Sequence, residues 1–478
     1  MKQFKTLVAL VLALALTMTL VGSAMAASIT VNNTGDHKPE EGATDNTKYE
    51  WYRIFDASFV NGTDATDGVR YYTTSADVKT ALESITVNGH KFTVTAVPGT
   101  NPTEYNITSD FVDADAEKLA DELFAKKSTW VKSDSTFAAG EIQTVTPGYY
   151  LVTSTLGSKI ILDTLGAENI NEKNEYITDT KTVAKTNYNI GDKVLYTITV
   201  TIPATTDFTL PVTVHDNLQD VLKLDKDSVA VKNGESNFTT FSVTDPVAST
   251  TKTGFNTFDI VLNINSLANA TTATTLTITY EAELLKTAAA DTELVNEEFT
   301  EYSDYTTKPK DVKVKTFDFD LKKTFVGATT QSNFEATFAL FESDGTTAIN
   351  LIEDTAYEKY HRPDSTESAT ANTFKVKGGG TVNVKGLAAG TYTVKETATS
   401  AGYNMLTDVI TVTIDANGDV SYTCGSNTGS GEIPVENNAG SELPSTGGIG
   451  TTIFYIAGAV LVLGAAAIVI ARRKAEQD

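Results

Sequence analysis

KVLYTITVTIP, residues 193–203, alternates strictly. Val194, Tyr196, Ile198, Val200 and Ile202 fall on one face and mostly threonine on the other. Successive side chains of a strand point to opposite faces, so this is a half-buried antiparallel strand. Shorter runs of the same kind recur at 212–214, 276–280, 317–321, 334–341, 391–394 and 409–414. Asn417-Gly418 inside 415–419 is a hairpin turn; the surrounding DxNGD lacks the later ligands of a calcium loop and reads as a plain turn. Gly378-Gly379-Gly380 lacks the GK[ST] context of a phosphate loop and reads as a flexible turn. One helix stands out. Asp113 is placed to cap it, and Ala116, Leu119, Ala120, Leu123 and Phe124 share a face. Polar, lysine-containing linkers are expected at 171–180 and 305–313. The reading is all-β: three tandem immunoglobulin-like sandwiches over 27–175, 176–308 and 309–440, with one packing helix in the first.

Both ends carry signals. Lys2 and Lys5 precede an apolar stretch, and Ala24-Met25-Ala26 gives a small-x-small cleavage pattern, so 1–26 reads as a secretory signal peptide. At the other end stand Leu443, Pro444, Ser445, Thr446 and Gly447, then an apolar run over 451–470, then Arg472, Arg473 and Lys474. Twenty residues at about 1.5 Å each span a bilayer core of about 30 Å. A C-terminal transmembrane helix is therefore expected in the precursor, with its basic tail cytoplasmic.

Charge narrows the function. The formal net charge is −24 over 478 residues. Without the signal peptide and the residues after Thr446, which carry net +2 and +1, it is −27. So acidic a chain is unsuited to nucleic acid or anionic membrane. The single cysteine, Cys424, allows no internal disulfide, so an exported β-protein of this kind needs another staple. The four histidines, His37, His90, His215 and His361, are scattered without metal-ligand spacing. No cofactor, metal or enzymatic activity is expected.

The LPxTG order at residues 443–447, with its span and basic tail, resembles the cell-wall sorting signal of Gram-positive surface proteins. The resemblance implies cleavage between Thr446 and Gly447 by a sortase, which passes the Thr446 acyl group to an amine. Along its length the chain resembles the backbone pilins of sortase-assembled pili. The C-terminal domain is similar to the B-type repeat domain of a collagen adhesin, on its E-box YTVKET (residues 392–397) and the following Gly402-Tyr403. That family joins a lysine of the first strand to an asparagine of the last, with the E-box glutamate as catalyst. The matching residues are Lys323, Asn437 and Glu396. Period-two phasing places Lys323 with Phe317, Phe319 and Leu321, Glu396 with Tyr392 and Val394, and Asn437 with Ile433 and Val435. A lone buried polar group is costly, so three converging groups make sense as a reaction site. Burial lowers the pKa of an amine and raises that of a carboxyl group. Neutral amine then attacks the carboxamide, the acid polarises the carbonyl, and ammonia leaves. Lys322 is the competing lysine.

The middle domain resembles the A-type variant, with Lys181, catalytic Asp216 and Asn296 as the matching residues. Lys185 competes with Lys181, and the residues after Asn296 are charged rather than apolar. The first domain departs from the pattern. GYYLVT (residues 148–153) has Thr153 where the glutamate would stand, and the first strand has no lysine, so no internal amide is expected there. Backbone pilins carry their acceptor lysine in a YPKN-like motif near the end of the first domain. Here NEKN (residues 171–174) offers Lys173, without the Tyr-Pro pair.

These resemblances imply a shaft subunit of a surface pilus (fimbrium), secreted and finally attached to peptidoglycan. Its partners would be a pilin-type sortase, identical subunits head to tail, minor pilins and possible host or cell-surface ligands. A wall-anchored monomeric adhesin, or a minor pilin, is the alternative.

Overall fold

A computed structural model describes residues 27–475, apart from 35–36, 60–67, 205, 207, 269, 271, 370 and 441–448. The signal peptide and residues 443–447 lie outside the described residues. The chain forms two compact units, Met1–Lys315 and Thr316–Asp478.

In the first unit, the opening stretch forms the strand Lys193–Ile202, paired antiparallel with Thr274–Leu284 from Lys193↔Glu283 to Ile202↔Thr274. All five apolar residues of its inner face are fully buried. Each contributes about 1.5–3 kcal/mol by leaving water. Together with Thr178–Val183 and Leu222–Asn233 these strands form one sheet; Val212–Gln219, Leu294–Tyr302 and Phe255–Leu262 belong to a facing one. Their inner residues share one hydrophobic core. Residues 27–171 build two further sheets, with separate apolar clusters around Tyr52, Leu82, Leu123 and Leu151, and around Ile29, Tyr150 and Val152.

Several local expectations change. The helix at Ala116–Ala125 buries Leu119, Ala120 and Leu123 as anticipated. Asp113 does not cap it: residues 113–115 form a short 3-10 turn, and it is the Asp115 carboxylate that accepts from the Val112 N–H, at 3.0 Å. A second helix, Ala76–Glu83, starts at Ser75, whose hydroxyl accepts from the Val78 N–H at 3.2 Å.

The segment at 305–313 is not a linker. Tyr305–Thr306 pairs with Thr44–Asp45, and Lys310–Val314 pairs with Leu294–Tyr302. Val314 is buried in the core, so the alternation of KDVKV outweighs its charge. The division between the two compact units falls after Lys315.

The second unit packs a five-stranded against a six-stranded sheet. Its first strand, Phe317–Phe325, lies parallel to its last, Ile433–Asn437, with Leu321↔Ile433 and Phe325↔Asn437 in register. The triple glycine is a brace rather than a loose turn. Gly379 N–H donates to Lys323 O (2.7 Å) and Lys323 N–H donates to Gly380 O (3.0 Å). A side chain at Gly378 would meet Gln331 O at 2.5 Å and the Phe325 ring at 2.6 Å. The 415–419 turn is closed by Asp415, whose Oδ1 accepts from the Asn417 and Asp419 N–H groups at 2.8 and 2.9 Å. That use of its carboxylate explains the turn without a cation.

A last helix runs from Ile449 to Ala475. Its side chains are described without a break only over 454–470. Among the described residues no helix is long and apolar enough to cross a membrane. The expected span over 451–470 therefore rests on the sequence.

Candidate functional site: two buried lysine, carboxyl and asparagine clusters

In the second unit, Phe317–Phe325 delivers Lys323 inward, Ile433–Asn437 delivers Asn437, and Gly390–Thr399 of the facing sheet delivers Glu396. All three are buried, Lys323 completely. Lys323 Nζ lies against Asn437 Oδ1. Glu396 reaches both reacting groups: Oε1 stands 3.8 Å from Lys323 Nζ, and Oε2 accepts from Asn437 Nδ2 at 3.0 Å. Asn437 Nδ2 also donates to Thr399 Oγ1 (2.9 Å) and Asn404 O (2.8 Å). Leu406 N–H fixes the carboxylate, donating to Oε2 at 2.5 Å. Burial pushes the Lys323 amine down to about 8, against the opposing pull of Glu396. Phe325, Phe334 and Tyr403 form an aromatic cluster with ring centroids 4.8–5.4 Å apart, and Phe325 also faces the amine. The competing Lys322 points out, half exposed and 3.6 Å from Glu432.

One detail differs from expectation. Glu396 sits on the nitrogen side of the carboxamide rather than on its carbonyl, because Leu406 N–H and Asn437 Nδ2 share Oε2. Oε1 has no hydrogen-bond partner and faces the amine. Such a carboxyl can take a proton from the nucleophile and return one to the departing nitrogen.

The first unit holds a comparable cluster built across its sheets. Lys181, on Thr178–Val183, meets Asp216 and Asn296 of the facing sheet. Lys181 Nζ is 2.6 Å from Asp216 Oδ2 and 2.9 Å from Asn296 Oδ1. The side chains of Lys181 and Asp216 are fully buried. Burial lowers the Lys181 amine and raises the Asp216 carboxyl, each opposed by the other. Both shifts favour the amine and neutral acid that a nucleophilic step needs. Lys185 is exposed beyond the end of its strand and takes no part.

Sequence reasoning missed Tyr280. Its hydroxyl donates to Asp216 Oδ2 (2.5 Å) and accepts from Asn296 Nδ2 (2.6 Å) and Lys181 Nζ (3.1 Å). Its ring stacks on Tyr196 at 5.3 Å. The signal was a tyrosine in phase with the buried Leu276 and Ile278, where a hydroxyl must find a partner. Tyr280→Phe keeps the ring and removes those contacts. We expect it to slow Lys181–Asn296 joining about 5–150-fold, the effect of losing about 1–3 kcal/mol of hydrogen bonding. Peptide mapping of refolding time courses measures this.

Lys173 stands apart from both clusters. It is exposed, between the buried Glu172 and Asn174. Glu172 Oε1 accepts from the N–H groups of Lys173 (2.8 Å) and Asn174 (3.0 Å), and Asn174 Nδ2 donates to Leu156 O at 2.8 Å. The backbone is held while the lysine side chain projects to solvent. At the E-box-like strand of the first domain, Thr153 is buried where a glutamate would stand. Among the described residues no group of three or more His, Cys, Asp or Glu could hold a metal ion.

The model of the SpaA prealbumin-like fold domain matches residues 281–428, and that of the LPXTG cell wall anchor motif matches residues 435–476. No curated protein matches the chain. Among solved structures the chain is similar to the major pilin SpaA of Corynebacterium diphtheriae, at 17% identity over 86% of this chain and 100% of that one, with TM-score 0.46. It is also similar to the T6 backbone pilin of serotype M6 Streptococcus pyogenes, at 13% identity over 88% and 100%, with TM-score 0.47. The major pilin RrgB of Streptococcus pneumoniae matches at 13% identity over 87% and 100%, with TM-score 0.42. The anchor motif makes the chain a cell-wall-attached surface protein.

Proposed function

We propose that this wall-anchored chain is the shaft subunit of a covalent pilus, a structural protein and not a catalyst. A pilin-type sortase cleaves between Thr446 and Gly447 and transfers the Thr446 acyl group to Lys173 Nζ of the next subunit. One donor and one acceptor per chain make a heterologous contact that does not close, so a fibre grows. The last acyl group goes to peptidoglycan. The observation that carries this reading is Lys173: an exposed lysine on a backbone pinned by buried neighbours, in a chain that bears the anchor motif.

Internal amides stiffen the subunit. In the second unit Lys323 Nζ bonds to Asn437 Cγ and the Cγ–Nδ2 bond breaks. Glu396 takes the proton the amine loses and supplies one to Nδ2, which leaves as ammonia. Lys181, Asn296 and Asp216 do the same in the first unit. Each site turns over once. The Glu396 position, within reach of nucleophile and leaving group, supports that role.

Cell-wall extracts boiled in detergent test the function. A shaft subunit gives a ladder of covalent multimers detected by antibody to this chain. Monomer alone, with the native sortases present, would show an anchored adhesin that shares the amides and needs no acceptor lysine.

A further inference from the structure

We infer that Glu298 is a positioning acid of the middle site, which must carry a proton for Lys181 to join Asn296; this rests on the amide reading above. The residues after Asn296 look like a solvated charged run, yet the strand Leu294–Tyr302 turns every second one inward. Glu298 therefore shares the inner face with Asn296 and Thr300. It is fully buried, and neither carboxyl oxygen has a hydrogen-bond partner.

Its surroundings explain what such a group does. Across the sheet Glu298 lies opposite Asp216 on one side and Lys310 on the other. The strand Thr178–Val183 brings Asp179 and Lys181 toward it. Lys310 is already engaged, paired with Asp179 and with Glu40 at 3.0 Å. Burial first, and then Asp179, push Glu298 up to about 8, with Lys181 opposing and Asp216 adding to the rise.

Consider the two protonation states. An ionised Glu298 sets a second negative charge beside Asp216, and both hold Lys181 as ammonium, which has no lone pair. A protonated Glu298 leaves Asp216 alone with Lys181. The proton then crosses the 2.6 Å contact to Asp216, leaving an amine and a neutral acid. Lys181 Nζ bonds to Asn296 Cγ, the bond to Nδ2 breaks, the amine's proton departs with Nδ2, and ammonia leaves. Lys181 no longer has a charge afterwards, so a neutral Glu298 also spares the site a buried anion. Glu298 touches neither reacting atom and acts through Lys181 and Asp216.

The test is a pH profile. The chain is accumulated unfolded as inclusion bodies, refolded between pH 6 and 10, quenched and digested. The Lys181–Asn296 branched peptide is quantified per folded molecule, with the folded fraction read from near-ultraviolet circular dichroism. In wild type the rate should rise with pH and then fall about 10–100-fold between pH 8 and 10. In Glu298→Gln, a neutral isostere, the fall should vanish. A wild-type profile with no descending limb overturns the inference, and that arm stands even if the variant fails to fold. A descending limb retained in the variant overturns it equally. No Lys181–Asn296 peptide at any pH, with the Lys323–Asn437 peptide present in the same digest, overturns the middle amide itself.

Discussion

Lys173→Ala should collapse the detergent-resistant ladder to single subunits. In the proposed fibre Lys173 supplies the nucleophile of every joint, so one deletion removes them all. The effect should be nearly complete rather than graded, because the proposed fibre has one acceptor per subunit. Here the Glu172 carboxylate holds the two backbone amides on the C-terminal side of it, and Asn174 ties the loop to Leu156 O. The side chain is exposed, so its loss leaves the fold intact. Lys173→Arg should give the same collapse, since guanidinium keeps the charge but stays protonated. Wall extracts of either variant should still contain wall-linked monomer, because Thr446 can still be passed to peptidoglycan. A ladder that survives both variants would move the acceptor to another lysine.

Glu396→Gln should leave the second unit unbonded, heavier by the retained ammonia, about 17 Da, and mechanically extensible. Lys323 and Asn437 are 114 positions apart on adjacent parallel strands. Load enters such a pair at opposite ends of the fold. With the amide in place tension crosses directly from the first strand to the last. Without it, forced unfolding should release about 370–410 Å of chain, at about 3.3–3.6 Å per residue. Single-molecule pulling should show that step in the variant and none in wild type.

Stability should change as well. Closing a loop of this size is worth about 4–5 kcal/mol in the chain-entropy account of cross-links, or about 15–20 °C in Tm for a unit of this length. The unbonded variant also acquires a pH signature. Lys323 has a folded value depressed to about 8, below its ordinary 10.5. Its stabilising contribution is complete above the unfolded value and is lost as pH falls through the folded one. The variant, which also lacks the opposing pull of Glu396, should weaken as pH falls from about 10.5 to below 8. Wild type, with Lys323 joined to Asn437 as proposed, should not follow.

The proposed geometry gives a physical sense to a first domain that carries Thr153 where the E-box glutamate would stand. If load enters at Lys173 and leaves at Thr446, it runs through 173–181, crosses to Asn296, continues to Lys323, crosses to Asn437 and exits. Residues 27–172 lie outside that path. A domain that carries no tension needs no staple.

How far the sequence reached follows from what it encodes locally. The resemblance to the adhesin repeat named Lys323, Glu396 and Asn437, and period-two phasing backed the choice, because each interrupts an apolar face at a definite step. The same phasing left Lys185, which has the parity of Lys181, as a rival; the end of the strand at Val183 separates them. It failed where a partner comes from elsewhere in the chain. Nothing in the sequence says that Asn404 O and Leu406 N–H complete the Asn437 and Glu396 environment, or that Thr44–Asp45 pairs with Tyr305–Thr306. It also misled where charge was equated with exposure. The linker expected at 305–313 contains the paired strand Lys310–Val314, and among the charged residues after Asn296 Glu298 is fully buried.

The most direct test is mass-spectrometric sequencing of the joints in gel-purified multimers. A branched peptide in which the Thr446 carbonyl is bonded to Lys173 Nζ is the predicted result. Multimers joined through any other pair of residues, or their absence from wild-type walls, would contradict the account.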